Sequence, residues 1–120
     1  MNQKLIIEGR LIGLNEYINM NRTHKNKGSN AKKNEESLIN TYIMVSRLKP
    51  IEKYPIKLDI KWYEKDKRRD VDNITFAVKF ILDALVKKGI LIDDSRKYVT
   101  SISHDVLVDK KRPRIEVEII

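Results

Sequence analysis

Between residues 56 and 89 the hydrophobic period of this 120-residue chain changes once, and that change restricts the fold more than any other feature. Ile56, Leu58, Ile60 and Trp62 alternate with Lys57, Asp59 and Lys61, the two-residue period of a strand with one buried face. After Asn73 the apolar residues Ile74, Ala77, Val78, Ile81, Leu82 and Leu85 recur at helical spacing, and Gly89 supplies a stop signal. The pattern predicts a strand feeding a helix. The polar segment between them, Arg68-Arg69-Asp70-Val71-Asp72-Asn73, gathers charges of both signs.

The rest of the chain extends this unit. Leu5 to Ile12 is rich in aliphatics and reads as a first strand. Residues 21–34 carry Arg22, Lys25, Lys27, Lys32 and Lys33 with no acid, among Asn, Ser and Gly, and read as a mobile basic loop. From about Glu35 to Leu48, Leu38, Tyr42 and Val45 recur at helical spacing, and Pro50 closes the segment. Tyr98 to Val108 and Ile115 to Ile119 read as two strands joined by Asp109 to Arg114. The expectation is one α+β domain over residues 1–120, a mixed sheet with two helices in the order β-α-β-α-β-β, a length suited to one modest core. Phe76, Phe80 and Ala84 widen the apolar arc of the second helix past half its circumference. Two readings follow: a dimer contact, or packing beneath the first helix of the same subunit.

Composition narrows the partners. Twenty-five Lys and Arg against seventeen Asp and Glu give a net charge of +8, which favours a polyanion, nucleic acid ahead of an anionic membrane surface. No cysteine is present, so disulfides, Cys-bound zinc and thiol catalysis are excluded. With only His24 and His104, the chain also argues against a transition-metal site. The first residues lack the apolar run of a signal peptide and no stretch is suited to spanning a bilayer, so the expected location is cytoplasmic, with no membrane partner.

Acids set among phosphate-attracting cations are what metal-dependent cleavage of a nucleic acid requires. If Asp70 keeps extended geometry, Asp70 and Asp72 point the same way and can grip one hard cation. Asp93-Asp94 follows the apolar run Ile90-Leu91-Ile92, and because neighbours at a strand end face opposite ways, one of the two should join the first pair. Magnesium prefers such oxygen ligands and both stabilises charge on a phosphate and activates water. Asp72, Lys79 and Asp83 fall along one polar line of the predicted helix, where Lys79 could neutralise phosphate charge. Each residue also has a plainer role: Asp70 or Asp72 as a helix cap, Asp93-Asp94-Ser95 as a turn, Lys79 with Asp83 as a surface pair. Order and spacing favour the joint chemical role.

Asp70-Val71-Asp72-Asn73, Lys79 with Asp83-Ala84-Leu85, Gly89 and Asp93-Asp94 together resemble the RusA-like Holliday junction resolvases, a family often encoded by phages and prophages. Asn15-Glu16-Tyr17 with Arg22 is similar to the family's early Asn-x-x-Tyr segment. The family's proline-rich start is missing, and a common family form places the lysine and Asp-Ala-Leu about one helical turn nearer the acidic motif. The resemblance implies a homodimer that resolves four-way DNA junctions in recombination and repair by paired symmetric nicks. Its cofactor would be Mg2+, with Mn2+ as a substitute, and no nucleotide. It implies Asp70, Asp72 and Asp94 as metal-binding and catalytic residues, with Asp93 and Lys79 assisting. Phosphate contacts would come from Arg22, Lys25, Lys27, Lys32, Lys33, Arg68, Arg69, Lys110, Lys111 and Arg112, recognising branched shape rather than sequence. Two other readings stand beside it: a metal-dependent nuclease for flaps, single strands or RNA, and a non-catalytic basic module that binds nucleic acid.

Overall fold

The computed structural model describes residues 2–23 and 27–120. Along the chain run β1 (Gln3–Glu8), α1 (Leu14–Thr23), α2 (Lys27–Val45), β2 (Ile56–Glu64), α3 (Val71–Thr75), α4 (Val78–Lys87), β3 (Val99–Val108) and β4 (Arg114–Ile119). The strands and helical regions follow the β-α-β-α-β-β order, but only the second expected helix is realised as two segments, α3 and α4; the helix expected from Glu35 lies within α2, and α1 occupies a stretch expected to be a loop.

The four strands form one mixed sheet in the order β1-β4-β2-β3. β4 pairs antiparallel with both β1 and β2, while β2 and β3 run parallel. Parallel neighbours require a crossover, and α3 with α4 supplies it. The polar segment after β2 therefore opens the crossover and Asp93-Asp94 lies near its end. The two C-terminal strands are not neighbours, because β2 lies between them.

The alternation of β2 is realised residue by residue: Ile56, Leu58, Ile60 and Trp62 are all buried. They meet Leu5 and Ile7 of β1, Ile115, Val117 and Ile119 of β4, and Ile39, Ile43, Phe80, Ile81 and Leu85 from the helices in one core. Gly9, at φ 83°, turns the chain out of β1, so the first strand ends four residues before the expected Ile12.

Two expectations are corrected. The basic segment 21–34 is not a loop where it is described: residues 21–23 end α1, and 27–34 form the first two turns of α2. Lys25 and His24 lie outside the described residues. The Asn, Ser and Gly of this stretch cost only a few tenths to about 1 kcal/mol each in helix propensity. Burial of Gly28, Glu36, Ile39 and Ile43 along α2 outweighs that cost. The second helix is also broken, with Phe76 and Ala77 forming a turn between α3 and α4.

The aromatic arc is satisfied within the chain. Phe80 and Ala84 are buried, and Tyr17 of α1 packs 5.4 Å from Phe76 and 5.6 Å from Phe80, centroid to centroid. That is the intrasubunit reading of these residues. Among the described residues no helix is long and apolar enough to cross a membrane.

Candidate active site

The segment from Glu64 to Asn73 is held by Glu64, Arg69 and Asn73. Glu64 continues the buried alternation of β2, so its carboxylate points into the protein, where Arg69 donates to both oxygens at 2.9 and 2.8 Å. The side chains are 12% and 8% exposed for Arg69 and Glu64, and Arg69 also donates to the Leu11 carbonyl at 3.1 Å. On the far side of the acids, the Asn73 side-chain oxygen accepts from the Asn15 backbone N–H at 2.9 Å, satisfying an open donor in the first turn of α1.

Asp70 and Asp72 sit between these anchors, both exposed. Asp70 occupies the N-cap position of α3 with extended backbone (φ −73°, ψ 159°), yet its carboxylate makes no cap bond. The capping role thus leaves that carboxylate uncommitted. Asp72 lies inside the first turn of α3 rather than in continued extended chain, so a strand-like alternation does not align it with Asp70. Neither aspartate takes part in an ion pair among the described residues. Asp70 lines a cleft of about 490 Å³ with Asp66, Arg69, Val71 and the end of β3, Val106 to Val108.

Asp94 is placed elsewhere. A second cleft of about 360 Å³ is lined by Lys32, Lys79, Asp83, Lys87, Asp93 and Asp94. Here Lys79 reaches Asp83 at 3.1 Å and Asp94 at 3.3 Å, while Lys32 also reaches Asp83 at 3.1 Å. Of the acidic pair, Asp94 is the half-buried one and faces Lys79, whereas Asp93 is exposed. The hydrogen bonds to Asp83 and Asp94 raise the Lys79 pKa above its ordinary value. Burial pushes Asp83 upward, but the bonds from Lys79 and Lys32 outweigh it and hold the carboxyl below its usual range. The network ends on Glu36, 6% exposed, which accepts from Lys87.

Carboxylate oxygens in a chain without cysteine suit a hard cation. As arranged, however, no group of three acidic or imidazole side chains among the described residues could hold one. Asp70 and Asp94 line separate clefts, and Asp94 is tied to the first turn of α4 by Lys79.

The expected phosphate contacts divide in the same way. Arg22, Lys27, Lys33, Arg68, Lys110, Lys111 and Arg112 are exposed. Arg112 is engaged by Glu8 at 2.6 Å, and Lys32 and Arg69 are spent on carboxylates. Sequence reasoning missed Glu64, Glu36 and Gly13. For Glu64 the signal was available, since it sits at the next even step after Trp62 on the buried face of β2.

A family model described as endodeoxyribonuclease RusA matches residues 14–120. No curated protein matches the chain significantly.

Proposed function

Because the chain belongs to the RusA endodeoxyribonuclease family, for which Holliday junction cleavage is the implied activity, we propose that it is a structure-selective DNA endonuclease that resolves four-way junctions as a homodimer. The observation that carries this reading, beside membership, is the uncommitted carboxylate of Asp70 at the start of the crossover. Asp70, Asp72 and Asp94 are the proposed reacting acids, with Asp93 and Lys79 assisting. Mg2+ is the proposed cofactor, replaceable by Mn2+. The reading requires the three aspartates to draw together from their present separation when cation and DNA bind.

What this chain's own residues do follows from their positions. Lys79, 59% exposed, is free on one side to face a phosphate while it holds Asp94 on the other. Lys110 and Lys111, on the turn between β3 and β4, and Arg68, before the acids, supply cations to the backbone of branched DNA. A second subunit is supported by β3. This ten-residue strand forms one edge of the sheet, with Asp105 as its only charge and no Lys, Arg or Pro to protect it. Antiparallel pairing of β3 with its own copy would be two-fold symmetric, matching the symmetry of a four-way junction.

Cleavage of four-way, flap and linear duplex substrates in magnesium tests the proposal. Paired nicks confined to the four-way junction support it. Preferential cutting of flaps or single strands would replace it with the neighbouring nuclease reading.

A further inference from the structure

Gly13 is buried at a close crossing between two segments that are distant in sequence. A Cβ built there would lie 2.5 Å from the Asn73 side-chain oxygen and 3.1 Å from a terminal nitrogen of Arg69. Three alternate residues of one segment therefore meet the two residues that bracket Asp70-Val71-Asp72. Leu11 accepts from Arg69, Gly13 lies against both Arg69 and Asn73, and Asn15 donates to Asn73.

We infer that the Leu11–Asn15 crossing is a positioning device, in which Gly13 admits the side chains of Arg69 and Asn73 so that they fix the backbone on either side of Asp70 and Asp72. The inference rests on the reading of those two aspartates as the reacting acids. Its physical basis is that both anchors are already engaged. The Asn73 oxygen cannot swing from an added methyl group without leaving the Asn15 amide, and Arg69 cannot retreat without leaving Glu64. A methyl group at residue 13 is therefore transmitted to the aspartates rather than absorbed. Gly13, Glu64, Arg69 and Asn73 act through the acids and touch no reacting atom themselves.

The test is a double-mutant cycle of Gly13→Ala with Asn73→Ala, read by junction cleavage and by amide hydrogen exchange. Displacing catalytic groups by about 1 Å can cost on the order of a hundredfold in rate. Gly13→Ala should lower kcat between about tenfold and a hundredfold, with KM within about twofold. In the Asn73→Ala background, where the clashing oxygen is gone, the same change should cost less than about threefold. The Ile74 amide, bonded to the Asp70 carbonyl at 3.1 Å, should exchange faster in Gly13→Ala, while Ile115 and Val117 in β4 stay protected. Unaltered kcat and unaltered exchange at Ile74 would overturn the inference, as would equal costs in both backgrounds. If the unsubstituted protein cuts no branched DNA, the nuclease reading fails by itself, and exchange at Ile74 still decides whether Gly13 fixes this segment.

Discussion

The ion pair between Arg69 and Glu64 decides whether a cation beside the acidic motif belongs to the DNA interface or to the fold. Both side chains are at least 88% buried, and two parallel N–H bonds of 2.9 and 2.8 Å join them. Removing one partner of such a pair costs about 3–5 kcal/mol, because the other charge stays buried without compensation. A chain of this length is stable by about 6–18 kcal/mol at the usual 0.05–0.15 kcal/mol per residue. Glu64→Gln should therefore consume a large share of the total. With a urea m-value of about 2 kcal/mol/M, the unfolding midpoint should fall by about 2 M. Replacing both partners by apolar residues, Glu64→Leu with Arg69→Met, should recover most of that loss. In junction binding, the salt slope of the double variant should match that of the unsubstituted protein, since each lost phosphate contact would lower it by about 0.9. A Glu64→Gln cost below about 1 kcal/mol, joined to a slope reduced by about 0.9 in the double variant, would refute the reasoning and return Arg69 to the phosphate contacts.

Lys79→Gln should cost less than about 1 kcal/mol of stability, because the lysine is largely exposed, yet slow junction cleavage about a hundredfold if it meets developing charge on the phosphate. Equal small effects on both would leave it a surface pair with Asp83. His104 Nδ1 accepts from the Trp62 indole N–H at 3.0 Å, and burial lowers the His104 pKa below 6.5. The base is thus harder to protonate in the folded chain, so its contribution to stability is complete above pH 6.5 and is lost as pH falls below it. Trp62 is the only tryptophan, and its fluorescence should change with a midpoint below 6.5 that disappears in His104→Ala. Burial raises the Glu35 pKa, and one of its carboxylate oxygens is buried without a partner. Glu35→Gln should therefore raise Tm at pH 7, and the gain should shrink as pH falls below the folded-state pKa.

Legibility in the sequence followed how local the governing interaction was. The strand Ile56 to Trp62 and the helix ending before Gly89 were readable because one buried face imposes a period on adjacent residues. The helical state of residues 27–34 was not, because it depends on Gly28 packing against Asn21 of α1 and on the Lys32 to Asp83 contact, 51 positions away. The break at Phe76 and Ala77 was hidden for a related reason: both residues keep the helical apolar pattern, since Ala77 is buried and Phe76 packs on Tyr17. In the site, the acids themselves were visible, as was their place between a strand and a helix. Their separation was not. It follows from the path of residues 88–94, which returns Asp94 to Lys79 rather than to Asp70.

The central claim is that Asp72 takes part in chemistry rather than in folding or DNA affinity. The most direct measurement is cleavage and binding of a synthetic four-way junction in magnesium by the unsubstituted protein and by Asp72→Asn. The account predicts that the substitution abolishes cutting while junction affinity is retained or tightened, because one exposed negative charge is removed from the proposed DNA-binding face. Undiminished cutting by Asp72→Asn, or loss of cutting and binding together in a folded protein, would contradict it.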